Sequence, residues 1–401
     1  MLTNTLALAA LAAVPALATP AVNVYWGQSG LVTDRLRNYC DNTSFEYVTV
    51  GFINNSPEQD ASSLKYPGSD FAAHCVEAKY HDTNVNTKLL AQCGQLSADL
   101  RYCQKKGKKM LLSIGGEWNP GKANYTVSSP AQGEYFADFI WGAFGPYNPS
   151  WGKARPFDDF YGSDDDDKHF SFDGFDFDIE HQFQDQSGYI AMIKKLRALT
   201  VGDPSKKYWI TAAPECPLSD QFFKMKQIIQ KSSFDALFIQ FYNNPSCAGV
   251  ANNNFDAWAA FLATTASKDA KIFIGLPGSS KAAGSGYLST SEAYTLINKH
   301  KNKPAFGGVM VWDVYYGSEK TYSKPFYEHM HEFIGFPPTT TTPAPTSTPT
   351  ACVKTYTVVP GDICFDIANK FGLDDTAQLV SYNTPTLNGN CDIWAGQVLC
   401  V

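Results

Sequence analysis

The stretch SFDGFDFDIEHQ, residues 171–182, places four carboxylates inside a segment that otherwise favours a buried β-strand. Its acids are Asp173, Asp176, Asp178 and Glu180, and the last three alternate with Phe175, Phe177 and Ile179. Strict alternation of aromatic and β-branched residues is typical of a strand with one face against a core. Because burying a carboxylate is costly, the acids on the opposite face must have a use.

Side chains on a strand alternate between its two faces, so Asp176, Asp178 and Glu180 point the same way. Carboxylates this close cannot all ionise at neutral pH without cost, so at least one should hold a proton. A protonated acid beside a carboxylate is what protonation of a glycosidic oxygen requires. The pattern therefore predicts that Glu180 is a general acid and that Asp178 is its charge partner.

Two other interpretations of the acidic stretch are an exposed loop and a calcium site. Calcium loops place their ligands around glycine turns with irregular backbone, and neither interpretation explains the alternating apolar residues. The nearby run DDDDK, residues 164–168, is expected to be a solvated surface segment without a catalytic role.

Seven further strand candidates surround this stretch, and helical patterns lie between most of them. Together with 172–180 they are 21–26, 47–53, 109–116, 208–214, 236–242, 271–278 and 307–313. Eight strands with intervening helices predict a (β/α)8 TIM barrel, in which catalytic groups sit at the C-terminal ends of strands and Glu180 lies at that rim. A doubly wound open sheet is the alternative, but no glycine-rich phosphate loop follows the first strand.

Composition limits the partners of the chain. The 401 residues carry a formal charge of -7 with 18% charged residues, which argues against nucleic acid and anionic membranes as partners. Residues 1–18 resemble a secretory signal, with an apolar run followed by Ala16-Leu17-Ala18. No later run is apolar enough to span a membrane. We therefore expect a secreted, extracellular and monomeric protein, with the cell wall as one location.

The segment FPPTTTTPAPTSTPT, residues 336–350, divides the chain into a large and a small domain. Such a Pro/Thr-rich run extends as polyproline II and cannot bury apolar surface. The expected division is a signal peptide at 1–18, a barrel at 19–336, a linker at 337–351 and a small domain at 352–401. Six cysteines precede the linker and four follow it, which suits disulfides in an oxidising compartment and neither a metal site nor a cofactor.

The acidic stretch resembles a known family. DGFDFDIE, residues 173–180, matches the D-x-x-D-x-D-x-E signature of glycoside hydrolase family 18. Other segments agree in order: YWGQ (25–28), GFIN (51–54), LSIGG (112–116), QFYNNPSC (240–247), GLPG with AAGSGY (275–287) and GGVMVW (307–312). Together they resemble plant- and fungal-type class III endochitinases over residues 20–335.

The resemblance implies a retaining, substrate-assisted reaction, which is an exception to the usual scheme with an enzyme nucleophile. In it, Glu180 protonates the leaving oxygen and the N-acetyl carbonyl of the substrate attacks the anomeric carbon. Asp178 would orient the acetamido group and stabilise the oxazolinium intermediate, while Asp176 shares a proton with Asp178. Tyr242 would hydrogen-bond the acetamido oxygen.

The resemblance also implies a set of substrate-binding residues: Tyr25, Asn54, Gly115, Gly116, Gln240 and Trp312. Trp312 would form the apolar floor under the sugar, and the glycines would let the backbone approach it. Asn54 is also a glycosylation sequon, as are Asn42 and Asn124. We expect Asn54 to be unmodified, because a glycan there would obstruct the cleft.

Disulfide pairing is implied in the same way. The family likeness suggests Cys40 with Cys103, Cys75 with Cys93, and Cys216 with Cys247. The sequence alone leaves every pairing of these six open. It also leaves open the pairing of Cys352, Cys364, Cys391 and Cys400 in the small domain.

The small domain resembles the LysM module, a βααβ fold that binds N-acetylglucosamine polymers. The likeness rests on YTVVPGD (356–362), on a cysteine in the following helix and on the closing LCV (399–401). About 50 residues cannot build a strong core, so disulfides are expected to stabilise it. The residues implied for ligand binding are Gly361, Asp362, Ile363, Asn390, Cys391, Asp392 and Ile393.

The sequence thus predicts a secreted endochitinase that hydrolyses β-1,4 bonds between N-acetylglucosamine units of chitin. One alternative is a chitin-binding lectin with the same cleft and no catalysis, against which the retained Asp176, Asp178, Glu180 and Tyr242 argue. Another is an endo-N-acetylglucosaminidase or lysozyme-type hydrolase that acts on glycoprotein glycans or peptidoglycan.

Overall fold

The structure is a computed structural model. It describes residues 19–75, 78–158, 168–321 and 324–335, and in the small domain 352, 354–359, 362–373, 375–383, 387, 391, 393 and 397–401. The predicted signal peptide, residues 164–167 of the acidic run, and the predicted linker lie outside the described residues.

Eight parallel strands close into a barrel in which each strand pairs with its neighbours in sequence and the last pairs with the first. They are β1 (Ala21–Trp26), β2 (Tyr47–Ile53), β3 (Lys109–Gly116), β4 (Gly174–Ile179), β5 (Trp209–Ala212), β6 (Ala236–Gln240), β7 (Lys271–Pro277) and β8 (Phe306–Trp312). The predicted (β/α)8 barrel is confirmed, and each strand falls within two residues of its predicted bounds.

Helices follow most strands and cover the outside of the barrel. The α-helices are Arg37–Cys40, Gly94–Lys105, Pro130–Phe144, Ser187–Val201, Lys226–Lys231, Gly249–Asn252, Phe255–Leu262, Thr290–His300, Val314–Gly317 and Phe326–Phe333. Two 3-10 turns, Pro57–Gln59 and Ala72–His74, lie in the long segment after β2. That segment also holds a hairpin of Lys79–His81 and Asn86–Leu90, and short strands Lys320–Thr321 and Lys324–Pro325 pair near the end of the barrel.

The alternation on β4 sorts its side chains as the sequence predicts. Phe175 packs toward the helices, 6.4 Å from Trp141 between ring centroids, and Phe177 lies 6.4 Å from Tyr189. The opposite face of β4 points into the barrel, whose interior is filled by a separate apolar cluster that includes Tyr25, Phe238 and Met310. The acids therefore stand above a packed floor and not in an open channel.

Three disulfides hold the barrel domain, with the pairings that the family likeness implies. They are Cys40–Cys103, Cys75–Cys93 and Cys216–Cys247. The third joins the segments that follow β5 and β6, so it fixes two of the loops above the C-terminal ends of the strands. These are the ends at which barrel enzymes carry their chemistry.

The small domain has the predicted βααβ order. Strands Thr355–Thr357 and Val398–Cys400 pair antiparallel, and helices Cys364–Lys370 and Thr376–Asn383 lie between them. Seven of its described residues form an apolar core, and two disulfides, Cys352–Cys400 and Cys364–Cys391, close the domain. Among the helices in the described part of the chain, none is long and apolar enough to cross a membrane.

Candidate active site

The innermost acid, Asp176, lies fully buried in one layer of the barrel interior. Strand register puts Ser113 of β3 and Thr211 of β5 beside it. Their hydroxyls each donate a hydrogen bond to its carboxylate at 2.7 Å, and the hydroxyl of Tyr25 donates a third at 2.7 Å. Three donors on one carboxylate hold it in a single orientation directly beneath Asp178.

The next two acids share one amide. The Nε2 of Gln240 donates to Asp178 Oδ1 at 2.9 Å and to Glu180 Oε1 at 3.1 Å, and it also contacts the carbonyl oxygen of Ala213 at 3.0 Å. The backbone N–H of Glu180 donates to the hydroxyl of Tyr125 at 3.2 Å. Gln240 therefore fixes the relative positions of the two carboxyl groups.

Burial is the main cause of the raised pKa values of Asp176, Asp178 and Glu180, the three acids of the acid column. It raises the pKa of Asp176 against the hydrogen bonds of Tyr25, Thr211 and Ser113, which lower it. It raises the pKa of Asp178 well above its ordinary value, with the charges of Glu180 and Asp176 as the next causes. It also raises the pKa of Glu180, against the hydrogen bond from Gln240. Like-charge crowding, the cause expected from the sequence, thus comes second to desolvation.

An open cavity of about 660 Å³ lies over Asp178 and Glu180 at the C-terminal ends of the strands. It is lined by Gln28, Phe52, Asn54, Asp70, Gly115, Gly116, Glu117, Asn119, Lys122, Ala123, Asp178, Glu180, Glu215, Gln240, Tyr242, Asn243, Ala282, Ala283, Gly284 and Trp312. Its size is within the range of small-ligand clefts, and polar and aromatic groups converge on the acids.

The structure brings most of the predicted substrate-binding residues to this cavity. Asn54, Gln240 and Trp312 line it, together with Tyr242 of the predicted catalytic set. Trp312 stacks on Phe52 with ring centroids 6.1 Å apart at 28°. Tyr25 is different, because it is 1% exposed and hydrogen-bonds Asp176 below the cavity, where it supports the acids and not the cavity wall.

Gly115 and Gly116 line the cavity, but the groups that approach them closely belong to the protein itself and not to a bound sugar. A Cβ on Gly115, whose φ is +122°, would lie 1.9 Å from the backbone oxygen of Asp178. A Cβ on Gly116, with φ of +91°, would lie 3.0 Å from the ring of Phe52. Gly115 therefore lets β3 pass close beside the acid column.

Several polar residues of the cavity were missed by the sequence argument. Glu215 lines it and pairs with Lys224, whose Nζ lies 2.6 Å from Glu215 Oε1. Asp70 and Lys122 also line it. These residues lie in loops, where no periodicity marks the direction of a side chain. Ser113 and Thr211 could have been found, because they occupy inward positions on strands next to β4.

Asp173, the first acid of the signature, lies at the other end of β4. Its carboxylate accepts hydrogen bonds from the backbone N–H of Met110 at 2.9 Å and from Gln104 Nε2 at 2.9 Å. Lys206 completes the set with an ion pair at 3.0 Å. This acid is a structural residue of the N-terminal end of the barrel.

In the small domain, the described part of the predicted ligand surface lies around one disulfide. Cys364–Cys391 brings the segment before the first helix next to the segment that contains Cys391 and Ile393. The carboxylate of Asp362 accepts hydrogen bonds from Tyr356 and from the backbone of Val359, both at 2.8 Å, so it orders its own loop. The predicted ligand residues Gly361, Asn390 and Asp392 lie outside the described residues.

No group of three or more His, Cys, Asp and Glu side chains in the described parts of the chain could hold a metal ion. The carboxyl groups of Asp178 and Glu180 line the cavity and can exchange protons with a bound molecule. An acid with a raised pKa, partly open to a cavity and next to a second buried carboxyl group, can donate a proton and take it back.

Fold and site together define a (β/α)8 barrel with buried acids at the C-terminal ends of its strands, and comparison with known proteins specifies the family. Residues 21–295 match the family model described as glycosyl hydrolases family 18, and residues 356–401 match the LysM domain. The chain belongs to glycosyl hydrolase family 18 and carries a C-terminal LysM domain.

Among curated proteins, Endochitinase 2 of Coccidioides posadasii is 41% identical over 72% of this chain and 33% of its own length. The chain thus spans about a third of that relative. Among solved structures, the ICChI chitinase from Ipomoea carnea matches with a TM-score of 0.60 and 26% identity, over 78% of this chain and 99% of that chain. A xylanase and α-amylase inhibitor protein from Scadoxus multiflorus matches with a TM-score of 0.58 and 27% identity, over 78% and 98%.

Proposed function

We propose that the protein is a secreted endochitinase that hydrolyses β-1,4 bonds between N-acetylglucosamine units by a retaining, substrate-assisted mechanism. The observation that carries this proposal is the position of Glu180. Its carboxyl group faces an open cavity, has a raised pKa, and shares Gln240 with the buried Asp178. The family and the relatives named as endochitinases support the substrate class.

In the first step, Glu180 donates its proton to the oxygen of the bond that breaks, and the acetamido oxygen of the substrate attacks the anomeric carbon. The leaving chain departs with the proton, and a positively charged oxazolinium ring forms. Asp178, next to Glu180, passes its proton to Asp176 below it and stabilises that charge as a carboxylate. Glu180 is then a carboxylate and removes a proton from the water that opens the ring.

The cavity walls supply substrate binding in this proposal. Trp312 offers an indole face for an apolar sugar face. Tyr242 has its pKa raised well above the ordinary value by burial and by Asp178 and Glu180, so its hydroxyl stays protonated and donates to the acetamido oxygen. Asn54, Gly115 and Gly116 lie across the cavity from it, and Asn54 is expected to carry no glycan.

The LysM domain adds a second site for the same polymer. Its expected ligand surface lies around the Cys364–Cys391 disulfide, which joins its two predicted segments. A tethered polymer-binding domain raises the local concentration of the barrel at an insoluble surface without changing its chemistry. The proposed division of the chain remains 1–18, 19–336, 337–351 and 352–401. An exported, extracellular and monomeric protein fits five disulfides and this substrate.

Product analysis on soluble N-acetylglucosamine oligomers, with detection of the anomer, tests the proposal. We expect internal cleavage and products that initially retain the β configuration. Products with inverted configuration would contradict the substrate-assisted mechanism. Oligomer binding without turnover would instead indicate a chitin-binding lectin. The inhibitor protein from Scadoxus multiflorus shows that this fold also occurs in proteins that are not named as enzymes.

Removal of residues 337–401 tests the role of the small domain. We expect turnover of soluble oligomers to stay within about twofold and turnover of insoluble chitin to fall about tenfold or more, because only the insoluble substrate benefits from the tether. Equal losses on both substrates would contradict this role.

A further inference from the structure

Glu215 enters the cavity from the end of β5, beside the catalytic acids. Its backbone forms a β-bridge with Gln240, the residue whose amide joins Asp178 and Glu180. The next residue, Cys216, is bound to Cys247 in a disulfide. Glu215 is therefore held firmly in place at the side of the acid column, although the reaction proposed above gives it no step.

Lys224 approaches Glu215 from behind the cavity wall. Its Nζ donates to Glu215 Oε1 at 2.6 Å, and the two side chains are 28% and 18% exposed. The backbone oxygen of Lys224 accepts a hydrogen bond from Gln186 at 2.7 Å, and its neighbours Phe223 and Met225 are buried. The pair is thus a built feature of the site and not a chance surface contact.

The two charges act on the acid column in opposite directions. The negative charge of Glu215 raises the pKa of both Asp178 and Glu180, and the positive charge of Lys224 lowers both. Lys224 also lowers the pKa of His181. As long as both charges are present, their fields largely cancel at the proton donor.

Other titratable or charged groups line the cavity, or act on the buried acids and on Tyr242, from the remaining strands and their loops. They are Tyr25 of β1, Asp70 after β2, Glu117, Lys122 and Tyr125 after β3, Asp176, Asp178 and His181 of β4 and its loop, Tyr242 after β6 and Asp313 after β8. These groups set a constant background in the experiment below, because no variant alters them.

We propose that Glu215 and Lys224 are a pair of positioning residues that sets the pH range in which Glu180 can donate its proton. Lys224 acts through Glu215: it neutralises a carboxylate that would otherwise be a further anion on the wall of the cavity. This inference rests on the proposed function, since it concerns the acid of that reaction.

The sign of each change follows from Coulomb's law. Without Lys224, the uncompensated Glu215 disfavours ionisation of Glu180, so the acid keeps its proton to higher pH. Without the charge of Glu215, Lys224 favours ionisation of Glu180, so the acid loses its proton at lower pH. At an effective dielectric constant of about 20, a unit charge about 12 Å away shifts a pKa by about 1 pH unit, and water in the open cavity screens the charge and reduces this shift.

The test is the pH dependence of kcat/KM on soluble N-acetylglucosamine oligomers for the full chain. We expect the alkaline limb to move about 0.5 to 1 pH unit higher in Lys224→Met and by a similar amount lower in Glu215→Gln. The double variant should return close to the wild-type limb, and Lys224→Arg, which keeps the charge, should leave it in place. A residue with only a structural role would change the height of the profile and not its position.

Lys226→Met is the matched control. Lys226 lies two residues after Lys224, and it forms an ion pair with the largely exposed Asp220. Its profile should coincide with that of the wild type. Coincident limbs in Lys224→Met and Glu215→Gln, or shifts in the same direction, would overturn the inference while leaving the endochitinase proposal intact. A wild type without turnover at any pH would overturn both. If Lys224→Met does not fold, the direction of the shift in the near-isosteric Glu215→Gln decides alone.

Discussion

The two ends of β4 carry the same kind of side chain in opposite electrostatic situations. At the N-terminal end, Asp173 has a cation in direct contact, Lys206 at 3.0 Å, together with donors from Met110 and Gln104. At the C-terminal end, Asp178 is bonded by the neutral amide of Gln240 at 2.9 Å, and its nearest charges are other carboxylates.

The difference shows what separates Asp173, a structural acid, from Asp178, to which the proposed reaction assigns a catalytic role. A buried carboxylate paired with a cation depends on that pair, because removal of one partner leaves the other charge uncompensated. A buried carboxylate among carboxylates resists ionisation and has a proton to exchange. Variants at the two ends of one strand should therefore affect different quantities.

The largest expected effect is that of Glu180→Gln. The amide keeps the shape of the side chain but has no proton to donate, so kcat on soluble oligomers should fall by about 10² to 10⁴. Oligomer binding, measured by calorimetry, should remain. Retained turnover would show that Glu180 is not the acid. The acids at the two ends of β4 would then not differ in the way proposed.

Asp178→Asn should lower kcat by about 10², because the charge that stabilises the oxazolinium ring is lost. The same variant should raise Tm at neutral pH. The pKa of Asp178 is raised in the fold, so its ionisation opposes folding, and the free energy of unfolding contributed by this group falls as the pH rises above about 4, the ordinary value.

The check is a pair of thermal melts at pH 7 and at about pH 4. Asp178→Asn should gain stability over the wild type at pH 7, and the gain should shrink at the lower pH, where the wild-type carboxyl group is protonated in the fold and about half protonated in the unfolded chain. A loss of stability at pH 7 would mean that Asp178 is a structural acid like Asp173.

Asp173→Asn should have the smallest effect on catalysis and the opposite effect on stability. It leaves Lys206 without its partner and weakens the bond to the backbone of Met110, at a cost of about 1 to 3 kcal/mol. Thermal melts should show a lower Tm, while kcat per folded molecule should stay within about twofold of the wild type. A fall in kcat as large as that of Asp178→Asn would place Asp173 in the catalytic group.

Much of this contrast could be predicted from the sequence because period-2 alternation fixes which way Asp176, Asp178 and Glu180 face. The barrel followed from the eight apolar segments, since strands buried on both sides need continuous apolar runs. The family likeness supplied Tyr242, Gln240 and Trp312, all of which line the cavity.

Other features could not be predicted from the sequence, because they depend on contacts between distant segments. Lys224 lies in a turn after β5, and nothing local indicates that it reaches Glu215. The alternation on β1 predicts that Tyr25 points into the barrel. It does not predict that Tyr25 lies below the cavity and not in its wall, because that depends on the stagger of β1 against β4. Burial is the first cause of the raised pKa values, and it could not be predicted because it depends on the packing of all the strands around the acids.

The central claim is that the acids at the C-terminal end of β4 hold a proton near neutral pH. Infrared difference spectroscopy of the wild type against Asp178→Asn and Glu180→Gln, recorded at about pH 6, tests it most directly, since ordinary carboxyl groups with a pKa of about 4 are ionised there. We predict a protonated carboxyl band in the wild type that at least one of the two variants loses. A wild-type spectrum without that band, with these carboxyl groups titrating at about pH 4, would contradict the account.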